Sequence, residues 1–215
     1  MAGIVECVPN VSEGRRLDVV DGLAKVITAT PGVRLLDQTS DPDHNRSVFT
    51  FAGEAHAVEL AALALIDASF AVIDMRGHKG EHPRLGAVDV VPFVPLAGVT
   101  MDEWVAIAHR VGAAVAAKHD VPVFYYAKAA TRPERVRLPD IRKPEFEGLA
   151  EYLETTHVPD AGPRVLHPSS TAPTSPAAGP TRGCSMRKGA SVSSRAPRIT
   201  RSASGRSITR ESALR

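Results

Sequence analysis

The chain has 215 residues, 43% of them hydrophobic, a size and composition that suit one or two domains with a buried core. Its two cysteines are Cys7, in an apolar run, and Cys184, in a polar one, which argues against a disulfide framework and for a reducing compartment. The formal net charge of +2 hides an asymmetry, because residues 166–215 carry nine basic residues and one acid. The part before residue 166 is therefore acidic, and the two parts are expected to differ in kind.

The N-terminus lacks a charged start followed by a long apolar stretch, so the sequence predicts no signal peptide. The longest apolar run, residues 57–70, is interrupted by Glu59 and Asp67 and is expected to be too short to span a bilayer. We therefore expect a cytoplasmic protein without a membrane partner.

Apolar periodicity divides the first part of the chain into strands and helices. Alternation with a period of two, or a short apolar run, predicts strands at residues 4–8, 33–37, 47–52, 71–75, 87–96 and 121–127. Helical spacing or composition predicts helices from residue 17 to the Pro31-Gly32 pair and at residues 55–70, 101–119 and 144–153. Thr100 and Glu103 fit a capping box at the start of the third of these helices.

This order of elements predicts an α+β fold, a βαββαβ ferredoxin-like core with extra strands. The sheet is expected to be antiparallel or mixed, with helices on one face. A doubly wound parallel fold needs strict alternation of strands and helices, and the consecutive strands at residues 33–37 and 47–52 break it. Residues 40–45 between those two strands are predicted to be a polar loop.

The last part of the chain, residues 166–215, has no apolar periodicity and no aromatic residue. Such a segment cannot bury enough apolar area to offset the entropy lost on ordering, so we predict that it is disordered. Its arginines are not interleaved with aromatic residues that would stack on bases, and no nucleic-acid partner is expected.

Residues 74–89 are the strongest candidate for a functional site, because charged and imidazole side chains are concentrated there between two predicted strands. These side chains belong to Asp74, Arg76, His78, Lys79, Glu81, His82 and Arg84. A solvated turn whose charges pair with one another is the alternative interpretation, and the density of such groups favours function. An imidazole among charges can be kept near neutrality for proton transfer.

His78 and His82 also fit the H-x-x-E-H pattern of some zinc peptidases. That chemistry needs both histidines on one helical face and a third ligand. Gly80 and Pro83 make the helix improbable, so no metal is predicted. The sequence also lacks the phosphate-binding and serine-nucleophile motifs, which leaves nucleotide cofactors and serine hydrolysis without support.

Two further loops follow predicted strands. In residues 9–16, the groups Asn10, Ser12 and Arg15 are candidates to receive a carboxylate at a helix N-terminus, although simple N-capping by Ser12 explains the pattern equally well. In residues 40–46, Asn45 and Arg46 accompany a histidine and two carboxylates, for which Asx turns are the alternative explanation. All these loops are expected to gather polar groups near the ends of one sheet.

The same loops carry long motifs, ECVPNVSEGR at residues 6–15, DHNRSVFTF at 43–51 and GHKGEHPRLGAVDVVPF at 77–93. These closely resemble the N-terminal subdomain of the glutamate formimidoyltransferase (formiminotransferase) family, over about residues 3–168. The resemblance implies two related α/β subdomains with folate held between them, and a homodimer. It implies transfer of a formimino group from N-formimino-L-glutamate to N5 of tetrahydrofolate, a late step of histidine breakdown.

The family's catalytic histidine matches His82, which the resemblance makes a general base. Tetrahydrofolate is then the acceptor substrate, and no metal is required. Arg15, Lys79 and Arg84 are expected to bind substrate carboxylates, and a carboxylate between residues 37 and 43 is expected to orient His82. The complete set of residues expected to bind substrate or folate is Asn10, Ser12, Arg15, Asn45, Arg46, His78, Lys79, Gly80, Arg84, Asp160, Gly162 and Pro163.

The sequence departs from the family after residue 168. We assign residues 1–165 to the N-terminal subdomain and 166–215 to a basic Ser/Pro/Arg-rich tail in place of the expected second subdomain. This composition suggests a truncated or frame-shifted member. The alternatives are an inactive remnant that acts only as a ligand-binding or interaction domain, and an enzyme that simply hydrolyses formiminoglutamate.

Overall fold

The computed structural model of the protein describes residues 3–155 and 157–166. These residues belong to the first of two units, which covers residues 1–181. The segment predicted to be disordered, residues 166–215, lies outside the described residues except for Leu166.

Helices separate successive pairs of strands along the described chain. The strands are β1 Ile4–Cys7, β2 Asn10–Val11, β3 Val33–Asp41, β4 Arg46–Glu54, β5 Val88–Val90 and β6 Phe93–Ala97. The helices are α1 Leu17–Thr28, α2 Ala55–Val72, α3 Met101–His119, α4 Leu138–Arg142 and α5 Glu145–Thr155. Short 3-10 turns occur at Met75–Gly77, Ala127–Ala129 and Pro133–Arg135.

Strand β4 lies at the centre of the sheet, with β3 on one side and both β1 and β2 on the other. Beyond them, β6 pairs with β1 and β5 pairs with β2. Each of these pairs is antiparallel, one of the two arrangements expected from the sequence. The predicted strand 87–96 is divided into β5 and β6 at Pro92, which lacks the N–H needed for continuous pairing.

One face of the sheet forms the core beneath the first three helices. Alternate residues Val5 and Cys7 of β1, Phe49 and Phe51 of β4, and Phe93 of β6 are fully buried, as a period of two requires. Helix α2 contacts α1, α3 and the sheet. Helix α3 begins with the predicted capping box between Thr100 and Glu103, which satisfies free amides at its start.

Helix α2 extends beyond the apolar run that the sequence delimits, and it has 18 residues with a mean hydropathy of 1.6. It is therefore long and apolar enough to cross a membrane by length and composition alone, so the prediction that the run is too short is wrong. The core helix of a soluble protein passes the same test. Val58, Ala61, Leu65 and Ile66 of α2 are buried in the hydrophobic core.

Two predicted strands are absent from the described structure. Residues 71–75 instead complete α2 and enter the 3-10 turn Met75–Gly77, so the candidate loop follows a helix. Residues 121–127 are buried up to Tyr126 but form isolated bridges at Val123 and Phe124 instead of a strand, that of Val123 being to Ala161. Apolar runs this short do not distinguish a strand from an irregular buried segment. The polar loop predicted at 40–45 is also shorter, since β3 extends to Asp41.

A second, smaller core attaches the candidate loop to the end of the described chain. Leu85 of the loop packs with Phe124 and Tyr126 and with residues of α4 and α5, namely Ile141, Leu149 and Leu153. Helix α4 is not predicted from the sequence. Its packing positions the 138–147 region beside the loop that carries His82.

Candidate functional site

Asn45 joins the polar loops that the sequence predicts to be neighbours. Its side-chain oxygen accepts a hydrogen bond from the backbone amide of Gly14 at 3.0 Å, and its side-chain amide donates to the backbone oxygen of Lys79 at 3.1 Å. Asn45 has φ 48°, a left-handed conformation that Asn adopts more readily than most residues. The loops around residues 9–16, 40–46 and 74–89 therefore meet at one nearly buried amide.

Two glycines allow these loops to approach. A Cβ at Gly14 would lie 2.3 Å from the backbone oxygen of Asp41, and one at Gly80 would lie 2.2 Å from that of His44. Neither distance is compatible with a side chain, so both glycines are required by contacts between backbones. Gly80, predicted to bind substrate or folate, therefore has a structural reason to be glycine.

His82 is half-buried and hydrogen-bonded to Arg46. The Nη1 group of Arg46 contacts Nε2 of the imidazole. Because a guanidinium can only donate, Nε2 accepts and the proton of the neutral ring lies on Nδ1. That Nδ1 is buried and has no hydrogen-bond partner among the described residues. The His44 ring lies 6.2 Å away, edge-on.

The surroundings of His82 keep its imidazole neutral. Burial, followed by the charges of Arg46 and Arg142, lowers the pKa of His82 from 6.5 to about 4. A neutral ring fits the role of a proton acceptor. Its basicity is nevertheless lower than that of the free imidazole assumed from the sequence.

Asp89 and Arg142 complete the charged surroundings of His82. The Nη2 group of Arg142 donates to Oδ2 of Asp89, whose other oxygen accepts from the backbone amide of Leu85 at 3.0 Å. Burial raises the pKa of the Asp89 carboxyl, and the charge of Arg142 opposes this shift. Sequence reasoning missed Arg142, because nothing in the short helix α4 marks it as a neighbour of residues 53 positions earlier.

The carboxylate expected to orient His82 from residues 37–43 has another partner in this structure. Asp41 accepts a hydrogen bond from Nδ1 of His44 at 2.7 Å and from the backbone amides of Asp43 and His44. These bonds form the Asx-type turn that was the alternative interpretation of this loop. The amide bonds and the His44 ring lower the pKa of Asp41.

His78 adopts the opposite tautomer to His82. Its Nδ1 accepts a hydrogen bond from Nε of Arg84 at 3.1 Å, so Nε2 carries the proton and donates to the backbone oxygen of Asn45 at 3.1 Å. Burial and the charge of Arg84 lower the pKa of His78. The loop thus holds two neutral imidazoles with their protons on different nitrogens.

Arg84 is almost completely buried, and its guanidinium is hydrogen-bonded to other groups of the protein. Its Nη2 donates to Oε1 of Glu147 at 2.7 Å and to the backbone oxygen of His78 at 3.2 Å. Lys79 and Glu81 of the same loop are exposed, whereas Asp74 and Arg76 form an exposed ion pair that lowers the pKa of Asp74 to about 2. The solvated-turn interpretation therefore describes that pair, while substrate binding by Lys79 and Arg84 stays a prediction.

The loop at residues 9–16 carries its own carboxylate at the start of α1. Glu13 accepts hydrogen bonds from the backbone amides of Arg15 and Arg16, both at 2.9 Å. Burial raises the pKa of Glu13, but these amide bonds and Arg16 outweigh it and the pKa is lowered. The amides predicted to receive a substrate carboxylate are thus occupied by Glu13.

Ser12 is not the N-cap of α1. The cap is Arg16, without a side-chain cap bond, and the Ser12 hydroxyl instead donates to the backbone oxygen of Gly86 at 2.7 Å. The Asn10 amide donates to Val8 at 3.2 Å and Nε of Arg15 donates to Pro42 at 2.8 Å. Ser12 directly follows β2 and lies four residues before the cap, so it is too early in the chain to cap α1.

The predicted folate residues near residue 160 lie in a tightly packed segment. The Asp160 carboxylate is buried, accepts from the Tyr125 amide at 2.8 Å and forms an ion pair with Arg135. Gly162 has φ +84°, and a Cβ there would lie 2.0 Å from the backbone oxygen of Val121. Pro163 follows in a half-buried position. A folate-binding role for these residues stays a prediction.

Two cavities of about 340 Å3 flank the loop that carries both histidines. One is lined by Ser12, Glu13, Arg15, Arg16, Asn45, Val72, Ile73, Asp74, Gly77 and His78. The other is lined by Pro83, Pro139, Arg142, Lys143 and Glu145, and lies next to His82 through Pro83. The second cavity is formed by α4 and its neighbours, which sequence reasoning did not include in the site.

The zinc-peptidase pattern is not supported by the local conformation. His78 and His82 lie in an irregular segment rather than on a helix. Within residues 3–155 and 157–166, no three His, Cys, Asp or Glu side chains are grouped so that they could hold a metal ion.

The described residues thus form an α+β domain in which the neutral imidazole of His82 is hydrogen-bonded to the guanidinium of Arg46. Comparison with known families agrees with the motifs in the sequence. The sequence model of the family described as formiminotransferase domain, N-terminal subdomain, matches residues 4–177 of this chain. The chain belongs to this family.

Individual relatives show the same similarity. A glutamate formimidoyltransferase from Streptococcus pyogenes serotype M1 is 47% identical over 171 residues, 79% of this chain and 57% of the relative. The glutamate formimidoyltransferase of Thermoplasma acidophilum is 45% identical over 166 residues, 76% of this chain and 55% of the relative. A formimidoyltransferase-cyclodeaminase from Rattus norvegicus is 47% identical over 170 residues, 79% of this chain and 31% of the relative. The chain thus spans about half of the first two relatives and about a third of the last.

Proposed function

We propose that the chain contributes to glutamate formimidoyltransferase activity. The reaction moves the formimino group of N-formimino-L-glutamate to N5 of tetrahydrofolate, giving 5-formiminotetrahydrofolate and L-glutamate in histidine degradation. The names of the relatives support this assignment. The observation that carries it is the neutral imidazole of His82, held at the meeting point of the polar loops beside Arg46 and Arg142.

In this proposal His82 acts as both general base and general acid. As N5 attacks the formimino carbon, the N5 proton moves to the unprotonated imidazole nitrogen, Nε2. The tetrahedral intermediate then breaks its bond to the glutamate nitrogen, which receives the same proton from the imidazolium. The same histidine therefore takes up the proton and returns it. The proposed mechanism requires no metal ion.

The charges around His82 match the substrates proposed. Formiminoglutamate and the glutamate part of folate both carry carboxylates, which guanidinium groups bind with defined orientation. Arg46 and Arg142 lie beside His82, and Lys143 lines the adjoining cavity. From the set expected by resemblance, Lys79 and Arg15 present exposed side chains nearby for the same purpose. Tetrahydrofolate is the acceptor substrate.

We also propose that the elements form a ferredoxin-like core. If β1–β2 and β5–β6 each count as one position, the sheet order is β3, β4, β1–β2, β5–β6, with α1 and α2 as the connecting helices. This order and its antiparallel pairing support a βαββαβ core. A homodimer, a cytoplasmic location and a second subdomain that closes the folate cleft complete the proposal by analogy with the family.

The test is turnover of N-formimino-L-glutamate by the full chain while tetrahydrofolate is titrated. Folate-dependent appearance of L-glutamate and 5-formiminotetrahydrofolate supports the transferase. Binding of either substrate without turnover supports the alternative of an inactive remnant that serves only as a binding domain. Product formation that is independent of folate would identify a hydrolase instead.

A further inference from the structure

We propose that Arg46 is a positioning residue that keeps His82 inactive until a substrate carboxylate draws its guanidinium away from the imidazole. This inference rests on the proposed function, since it assigns a partner and a control to the same histidine. It also explains why the positive charges of Arg46 and Arg142 both act on one neutral imidazole.

The first observation is that neither nitrogen of His82 is available as a base in this structure. The lone pair of Nε2 is directed at Nη1 of Arg46. The other nitrogen, Nδ1, carries the proton and is buried. A general base needs a free lone pair within reach of the proton that it accepts. The contact between Arg46 and His82 must therefore break before proton transfer.

The second observation is that Arg46 is a partly buried cation in contact with the imidazole. In the part of the chain that the structure describes, its guanidinium is hydrogen-bonded to His82. Burial and the charge of Arg142 lower the pKa of Arg46, while the charges of Asp89 and Asp41 oppose this shift, so on balance these surroundings disfavour its positive charge. A carboxylate would compensate it by a bidentate pair, roughly twice as strong as bonds between neutral groups.

The third observation is that the charge beside His82 favours an anion. The guanidinium of Arg46 contacts the imidazole, and the charge of Arg142, which pairs with Asp89, also lowers the pKa of His82. His44 also faces His82, and its Nδ1 is bonded to Asp41. The cavity of about 340 Å3 next to Pro83 is lined by two cations, Arg142 and Lys143, and one carboxylate, Glu145, and it offers space for a small dicarboxylate such as formiminoglutamate.

These observations give a sequence of events. A carboxylate of formiminoglutamate enters beside Arg142 and pairs with Arg46. The guanidinium swings from Nε2 to the carboxylate, which frees the lone pair and neutralises the nearest positive charge. The imidazole then becomes a stronger base only when substrate is present, because Arg46 no longer opposes its protonation.

The test uses imidazole nitrogen spectra of the full 15N-labelled chain, which report tautomer and protonation without any turnover. The free chain is expected to show His82 as the Nδ1–H tautomer. N-formimino-L-glutamate, or L-glutamate as a simpler probe, is expected to increase the proton affinity of His82 by at least about tenfold. In Arg46→Ala this affinity is raised without ligand, and the ligand adds little.

The controls separate this inference from the proposed function. Arg76→Ala removes an exposed guanidinium that pairs with Asp74 in the loop that carries His82, and is expected to leave the His82 signals unchanged. Arg46→Lys keeps the charge if Arg46→Ala unfolds, and should restore part of the ligand response. An unchanged tautomer and proton affinity in both Arg46 variants, or a parent His82 that does not respond to either ligand, would overturn the inference. Absence of transferase turnover alone bears only on the proposed function.

Discussion

Arg84 of the candidate loop forms a two-pronged ion pair with Glu147 of helix α5, with N–O distances of 2.7 and 3.2 Å. The guanidinium is buried, whereas the carboxylate is 62% exposed. The contact joins residues 63 positions apart, so it attaches the histidine loop to the end of the described chain. The stability of the loop therefore depends on a helix that follows it far along the sequence.

Removing the Glu147 carboxylate should destabilise the chain. Glu147→Ala leaves a buried guanidinium with fewer acceptors, and we expect a loss of about 1–2 kcal/mol in the free energy of unfolding. Urea denaturation followed by circular dichroism measures this loss. Glu151→Ala, at an exposed position on the same helix, is the matched control and should cost less than about 0.5 kcal/mol. Equal effects of the two variants would show that the ion pair contributes nothing.

The two glycines that flank His78 should respond differently to alanine. A Cβ at Gly80 would lie 2.2 Å from the backbone oxygen of His44, but one at Gly77 would have no neighbour within 4 Å. Gly80→Ala is expected to cost about 1–3 kcal/mol through forced separation of the loops. Gly77→Ala should be neutral or slightly stabilising, because it restricts the unfolded chain. The same thermal or urea unfolding series compares both, and equal stabilities would contradict the loop contact.

The sequence predicted well those features that depend on local pattern. Helix α3 follows from its apolar spacing and the Thr100–Glu103 capping box, and the buried pair Phe49 and Phe51 follows from a period of two. The meeting of the polar loops was also predicted, although the loop with both histidines follows α2 and not the expected strand. Features that depend on distant contacts were missed. Nothing in the sequence shows that Arg142 of α4 pairs with Asp89 of β5.

Two errors have the same origin in short apolar segments. Residues 71–75 were assigned to a strand, although the chain there completes α2 and turns at Asp74. The Asp74 carboxylate accepts a hydrogen bond from the backbone amide of Arg76. Residues 121–127 were also assigned to a strand, but tertiary contacts bury them without a ladder. Residues 121–126 are buried as their composition indicates, whereas Ala71 and Val72 are exposed, and in both segments the surrounding structure decides the backbone conformation.

The pKa of His82 predicts how stability depends on pH. Its value is about 4 in the folded chain, against an ordinary value of 6.5. Between these values the unfolded chain binds more protons than the folded one, so stability rises with pH through this window and is lost as pH falls from about 6.5 towards about 4. His78 and His157 also have lowered pKa values and act in the same direction.

The contribution of His82 is isolated by a difference between two titrations. Unfolding free energies of the parent chain and of His82→Gln are measured by urea denaturation at several pH values from 4 to 7. The variant should show a shallower rise with pH than the parent, because one of the depressed groups has been removed. Parallel curves would show that His82 titrates normally in the folded chain.

His82→Ala should reduce turnover far more than stability. Loss of the proton acceptor and donor is expected to lower the rate about 10²–10⁴-fold. His82 is half-buried in an irregular loop and is hydrogen-bonded to Arg46. The free energy of unfolding should therefore change by only about 1 kcal/mol in this variant. The measurement is formimino transfer, with tetrahydrofolate, by a form that carries the complete second subdomain. His44→Ala is the matched control, because it removes the neighbouring imidazole, and it should affect binding more than the chemical step. Nearly full turnover by His82→Ala, or loss of parental activity on treatment with chelators, would rule out an imidazole base.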